Sequence, residues 1–196
     1  MDKLFLIFGD SITYGAADKA GGWVSRLREF LDGKNSRDDS FHRVFNLGIV
    51  GNKTADVLKR FAFETEQRTR GDAETVIIFA IGVNDSQFLY DQDRLAVAVE
   101  DFEGNIKKLA DLAKKFSSKI IFAGLTPVEE SKTTPIPWDK NKSYKNEYIQ
   151  EYDKIIKLIQ QLPFNDWRYV DIFSGMADTY SYKGQYLNAI EYYKKA

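Results

Sequence analysis

The sequence predicts an α/β protein, a three-layer α/β/α sandwich around a five-stranded parallel sheet. Three observations lead there. Short apolar runs of strand length alternate five times, along 196 residues, with segments of helical periodicity. Such alternation gives parallel strands joined by right-handed crossovers, with helices on both faces of the sheet. The clearest strand, residues 75–81, is β-branched and apolar almost throughout, as a central strand covered on both faces should be. Finally, the strand runs end in Ser, Gly and Asn, and parallel topology gathers those ends at one sheet edge, where open α/β sheets place their ligand sites.

The first strand is the apolar run 4–8, too short for a helix. It passes into Gly9-Asp10-Ser11-Ile12-Thr13-Tyr14-Gly15, which sets Ser11 on a tight turn. A small, polar loop follows to Gly22. Trp23, Leu27, Phe30 and Leu31 recur at helical spacing, and Gly33 is expected to end that helix. Residues 43–47 form the second strand, and Gly48 to Lys53 a glycine-punctuated loop. Thr54 is the expected N-cap of a helix carrying Val57, Leu58 and Phe61, closed by Gly71-Asp72. After strand 75–81 comes Gly82-Val83-Asn84-Asp85, then a long helix with Ala98, Phe102, Ile106, Leu109, Ala113 and Phe116 on one face. Gly104 within it costs about 1 kcal/mol against alanine and is read as a mark of close packing. Residues 119–123 make the fourth strand. The long loop 124–142 holds three of the four prolines and is the expected specificity element. Trp138 and Tyr144 could line a pocket wall, and packing against the body of the domain is the commoner role for such aromatics. The charged stretch 138–145 reads as a solvated face. Tyr148, Tyr152, Ile155, Ile159 and Leu162 define the next helix, 168–172 the fifth strand, and 185–196 a terminal amphipathic helix.

Composition narrows the function. The 28 basic and 29 acidic residues nearly cancel, which argues against a general nucleic-acid binder. With no cysteine there is no disulfide framework, thiol nucleophile or thiolate metal site. No stretch approaches the roughly 18 apolar residues of a membrane span, and the N-terminal apolar run is too short for a secretory signal. The chain reads as one cytoplasmic domain over residues 1–196, and no cofactor is expected.

Ser11, Gly48 and Asn84 follow the first three strands and so meet at one edge. Each has an ordinary explanation alone, as a turn or cap residue. Together they supply what acyl chemistry needs: a hydroxyl to attack a carbonyl, with a glycine N–H and a carboxamide to hold the oxyanion that develops. Here the chain resembles the SGNH/GDSL hydrolase family of esterases and lipases. Gly9-Asp10-Ser11 with Ile12-Thr13-Tyr14-Gly15 resembles that family's first block, Asn46-Leu47-Gly48 with Gly51-Asn52 its second, and Gly82-Val83-Asn84-Asp85 its third. The resemblance runs from residue 4 to about 172. It implies a flavodoxin-like sheet, Ser11 as nucleophile, and the Ser11 amide, the Gly48 amide and the Asn84 side chain as oxyanion hole. It also implies a small-molecule ester substrate (esters, thioesters or acetylated sugars) and no metal.

The family's last block is Asp-x-x-His, whose histidine takes the serine proton while the aspartate orients the imidazole. The matching place reads Asp178-Thr179-Tyr180-Ser181. Asp178 can be matched, but a serine stands where the histidine belongs. The one histidine, His42, begins the second strand at the opposite sheet edge, about 17–20 Å away for a strand of five or six residues. A general base must come within about 3 Å. Lys183 would need a lowered pKa to serve, and nothing in its stretch provides one. When a serine protease loses its triad histidine, about 10⁶-fold in kcat disappears and roughly 10³–10⁴ over water remains. Impaired turnover is therefore expected. Two further readings stand beside the impaired hydrolase. One is a silent binding module for ester, acetylated-sugar or lipid-like ligands. The other is a flavodoxin-like phosphate binder, for which the Ser11 turn lacks the glycine spacing.

Overall fold

The computed structural model describes residues 2–35, 40–69, 71–158 and 167–172. Along the chain the elements are β1 (Lys3–Gly9), α1 (Ser11–Tyr14), α2 (Gly22–Asn35), β2 (His42–Gly48), α3 (Thr54–Arg68), β3 (Glu74–Ala80), β4 (Phe88–Leu89), β5 (Arg94–Leu95), α4 (Val99–Ala113), β6 (Lys119–Ala123), α5 (Glu130–Thr133), β7 (Lys142–Ser143), α6 (Asn146–Leu158) and β8 (Trp167–Val170).

The predicted architecture is present. Five parallel strands lie in the order β2-β1-β3-β6-β8. Their side chains alternate between two apolar layers, as the pleat requires. Leu4, Leu6 and Phe8 of β1 and Ile77 and Phe79 of β3 join the larger core, built with Val57 and Phe61 of α3, Phe102, Ile106 and Leu109 of α4, and Ile149, Tyr152 and Ile156 of α6. Ile7, Val76 and Ile78 face the other way, against Val24, Trp23 and Leu27 of α2. The register pairs Phe8 with Phe79 and Phe79 with Phe122. Three phenylalanine rings thus stand in a row one residue below the carboxyl edge, at centroid separations of 5.9 and 4.9 Å. Phe61 covers the row, 5.0 Å from Phe8 and 5.3 Å from Phe79. Such contacts add about 0.5–1.5 kcal/mol each beyond simple burial. They stiffen the sheet directly under the strand ends that matter below.

Several expectations need correction. Helix α2 runs through Gly33 to Asn35, where the Asn35 side chain accepts the His42 N–H at 2.6 Å and donates to the His42 carbonyl at 2.8 Å. Lys53, not Thr54, occupies the N-cap of α3. The stretch between Asp85 and Ala98 is not a plain approach to a helix. Its strands β4 and β5 join β7, from the end of the proline-containing loop, in a small antiparallel sheet ordered β5-β4-β7. Two-residue strands carry no periodic pattern, so they leave no trace in the sequence. The buried face of α6 is Ile149, Tyr152, Asp153 and Ile156, with half-buried Ile155 packed against the same core; Tyr152 and Ile155 of the expected stripe are thus in place and Tyr148 is not. Tyr148 instead stacks on Phe88 of β4, with centroids 6.0 Å apart. Trp138 is 81% exposed and neither packs on the domain nor lines a wall. The expected helix positions Ile159 and Leu162, the terminal helix 185–196, Lys183 and Asp178 lie outside the described residues. Among those described, no helix is long and apolar enough to cross a membrane.

Gly104 also departs from expectation. A Cβ there meets nothing within 4 Å, so close packing does not explain it. Gly104→Ala should raise the unfolding free energy by up to about 1 kcal/mol, through lower backbone entropy in the unfolded chain. Urea denaturation at neutral pH measures it.

Candidate active site

β1 ends on Gly9, and the chain turns at once. The Asp10 side chain caps the short α1, its Oδ1 accepting the Ile12 N–H at 2.9 Å, and the Asp10 carbonyl accepts the Tyr14 N–H at 2.9 Å. Thr13 is fully buried, and its hydroxyl donates to the Ala80 carbonyl at the end of β3, 3.3 Å away. Ser11 is therefore the first residue of a turn tied to two strand ends. No side chain among the described residues hydrogen-bonds its hydroxyl, and its backbone N–H has no acceptor there.

Gly48 lies beside Gly9 in the register. A Cβ on Gly48 would lie 2.3 Å from the Tyr14 nitrogen and 2.8 Å from the Asp10 carbonyl oxygen. Only glycine lets β2 pass this close beneath the Ser11 turn. Its N–H, expected to face a reacting carbonyl, instead donates to Asn46 Oδ1 at 3.0 Å. The same Asn46 side chain donates to the Thr13 carbonyl at 2.9 Å, so it binds β2 to α1. Three residues on, Gly51 takes a left-handed backbone with φ 80°. It is exposed, and its N–H has no acceptor among the described residues.

Asn84 is 5% exposed and follows β3 by four residues. Its Nδ2 donates to the Asn52 carbonyl at 3.0 Å, and its Oδ1 accepts the Tyr144 hydroxyl at 2.6 Å. Next to it, Asp85 accepts the Thr54 N–H with both oxygens at 3.1 Å and the Thr54 hydroxyl at 2.5 Å. Asp85 thus serves the first turn of α3 from another loop, where a carboxylate also meets the positive end of the helix dipole. Asn105 of α4 donates to the Thr54 hydroxyl oxygen at 3.0 Å.

Arg60 of α3 binds the edge from behind. Its Nη2 donates to the Leu47 carbonyl at 2.7 Å and the Gly9 carbonyl at 3.4 Å, and its Nε to Asn52 Oδ1 at 3.0 Å. Nη1 pairs with Glu64 at 2.9 Å, and the guanidinium lies 5.6 Å from the Phe8 ring centroid. Nothing in the sequence distinguishes Arg60 from the other exposed-looking cations of its helix. Asp85, by contrast, adjoins Asn84 in the motif and could have been suspected of a structural role.

The outlying candidates separate cleanly. His42 pairs with Lys3 at the amino end of the sheet, six residues along β2 from Gly48. Its Nε2 lies 3.4 Å from Ser40 Oγ, and Phe5 packs on its ring edge to face at 6.4 Å. It is not at the site. Asp178 lies outside the described residues, so the structure brings together Ser11, Gly48 and Asn84 only. Among the described residues no group of three or more His, Asp or Glu side chains is arranged to hold a metal ion.

Ser11, Gly48 and Asn84 thus lie at or just beyond the carboxyl ends of the adjacent strands β1, β2 and β3. The model of the GDSL-like Lipase/Acylhydrolase family matches residues 7–188. The chain belongs to that family. As a GDSL-family protein it is, by family, an ester hydrolase. Its fold is similar to that of a lipase/acylhydrolase from Enterococcus faecalis, at TM-score 0.64 and 22% identity over 91% of this chain and 80% of that one. It is also similar to an acetyl xylan esterase from Geobacillus stearothermophilus, at TM-score 0.67 and 20% identity over 92% and 80%. The SGNH-hydrolase family esterase AlinE4 follows at TM-score 0.60 and 19% identity over 90% and 79%. A comparison with curated protein sequences gives no match.

Two carboxyls of this GDSL-family site are strongly perturbed. Burial pushes both Asp10 and Asp85 up to about 6, against the opposing pull of the hydrogen bonds each accepts. An acid whose folded pKa exceeds its unfolded value binds more protons when folded, so the native state loses stability as pH rises between the two values. The unfolding free energy should therefore fall between pH 4 and 6 and level off above. Asp85→Asn should reduce that slope by about 1.4 kcal/mol per pH unit. Urea melts at half-unit steps from pH 4 to 7.5 test this. A slope unchanged by the substitution would show that Asp85 is ionised throughout.

Proposed function

We propose that the chain is built for acyl-ester chemistry at Ser11, with the carboxamide of Asn84 and backbone N–H groups receiving the oxyanion, and with turnover limited by the absence of a histidine base. The observation that carries this reading is the fixed carboxamide of Asn84 on the same sheet edge as the Ser11 turn. Asn84 has two amide hydrogens. One is held by the Asn52 carbonyl, which leaves the other for a substrate oxygen.

The Ser11 N–H is the natural second donor, since it opens a helical turn and has no acceptor of its own. A third N–H is better supplied by Gly51 than by Gly48. The Gly48 N–H is engaged by Asn46, whereas Gly51 precedes the residue whose carbonyl holds Asn84. In this reading Gly48 serves by its smallness, allowing β2 to support the turn. Asp178 is retained as the residue matched to the family's last block. The substrate is a small ester. An acetyl ester is one member of that class, as the printed activity of the Geobacillus neighbour suggests.

Proton transfer sets the rate. His42 is at the far edge of the sheet, and Ser181 stands where the matched block would carry the histidine. Without a base the Ser11 hydroxyl remains protonated, and only oxyanion stabilisation and binding accelerate attack. That histidine-free site equally supports a second reading, a silent module that holds an ester, an acetylated sugar or a lipid-like ligand.

Hydrolysis of 4-nitrophenyl acetate by the chain and by Ser11→Ala distinguishes them. The expected rate is at most roughly 10³–10⁴ over water, and Ser11→Ala removes its serine-dependent part. A rate typical of an intact triad, abolished by Ser11→Ala, would reveal another base. Complete inactivity with retained binding of an acetylated xylooligosaccharide or a fatty acid would favour the binding module.

A further inference from the structure

The small antiparallel sheet is unexplained by the sandwich. It pairs Phe88 with Ser143 and Leu89 with Lys142. One step further along the same register Gln87 meets Tyr144. Gln87 Nε2 donates to the Tyr144 hydroxyl oxygen at 2.5 Å. A tyrosine has a single hydroxyl proton. With its oxygen accepting from Gln87, that proton is directed to Asn84 Oδ1 at 2.6 Å. The chain of donors then continues from Asn84 Nδ2 to the Asn52 carbonyl at 3.0 Å.

We propose that Tyr144 is a positioning residue for the oxyanion donor Asn84, and that the β4–β7 pairing exists to deliver its hydroxyl to the Asn84 carboxamide. This rests on the acyl-ester reading above. A buried carboxamide held only through Nδ2 can rotate or flip about its terminal torsion. Held at both ends, its plane is fixed, and so is the direction of the one N–H left over. Donors aligned head to tail also polarise one another, which strengthens the last of them. Burial and the nearby Asp10 carboxylate both hold the Tyr144 hydroxyl above its ordinary pKa, so the proton that the arrangement needs stays in place at neutral and mildly alkaline pH.

Phenylboronic acid tests the proposal without requiring turnover. Its boron bonds to the Ser11 oxygen as the serine proton leaves to solvent, giving an anionic tetrahedral adduct that demands the same donors. Affinity is measured by calorimetry for the wild-type chain, Tyr144→Phe, Asn84→Ala and the double variant. Removing an oxyanion donor costs about 10²–10³, and misplacing one should cost less, about tenfold for Tyr144→Phe. In the Asn84→Ala background the same substitution should cost nothing, because the group it positions is gone. In parallel, the Asn84 side-chain amide hydrogens should exchange at least about tenfold faster in Tyr144→Phe, with other core amides unchanged.

An equal loss from Tyr144→Phe in both backgrounds overturns the proposal, as does unaltered exchange at Asn84. Boronate binding that needs Ser11 but ignores Asn84 and Tyr144 overturns the positioning role and leaves the Ser11 nucleophile standing. Binding indifferent to Ser11→Ala overturns both readings.

Discussion

One guanidinium closes the carboxyl edge of the sheet. Strand ends are where ladder hydrogen bonds run out, so carbonyls there need partners from elsewhere. Arg60 supplies one to Leu47, adds a second donor to the Gly9 carbonyl beside the Ile49 N–H, and reaches the Asn52 side chain in the loop beyond. Its charge is balanced by Glu64 and its flat face lies over Phe8. A planar fork with several fixed donors can do this, and a lysine's single ammonium cannot. Because Arg60 rises from α3, it links the helix to both strand ends and to the Asn52 loop.

The polar groups around Ser11 follow the same logic. Few of them bond within their own element. Thr13 of α1 reaches the end of β3, Asn46 of β2 reaches α1, and Asp85 beyond β3 serves α3. Each bond is modest, about 0.5–1.5 kcal/mol net, but leaving a buried partner unsatisfied costs about 1–3 kcal/mol. The edge is thus held less by the strength of its bonds than by the cost of breaking any one. The two raised carboxyls, Asp10 and Asp85, are the price of this arrangement.

Much of the scaffold was legible in the sequence, because the burial that makes strands also writes an apolar run. Residues 75–81 and 119–123 differ from β3 and β6 by one residue or none. Ser11 and Asn84 could be placed on one edge because parallel topology leaves little choice. Other features were illegible for physical reasons. Two-residue strands are too short for periodicity, so β4, β5 and β7 were invisible, and with them the approach of Tyr144 to Asn84. Gly48 and Gly51 look alike in sequence, and only the Asn46 side chain decides whose N–H is occupied. On α6 the sequence pattern places Tyr152 and Ile155 correctly but not Tyr148, which packs on Phe88 of the small sheet rather than in the core. Arg60 is one of 28 cations, and its function depends on three acceptors in other segments.

The row formed by Phe8, Phe79 and Phe122 has a consequence for shape. These rings are at most 3% exposed and lie immediately under the strand ends. They form a floor on the face covered by α3 and α4. Opening the sandwich at that level would displace an aromatic ring from a row whose members touch one another and Phe61.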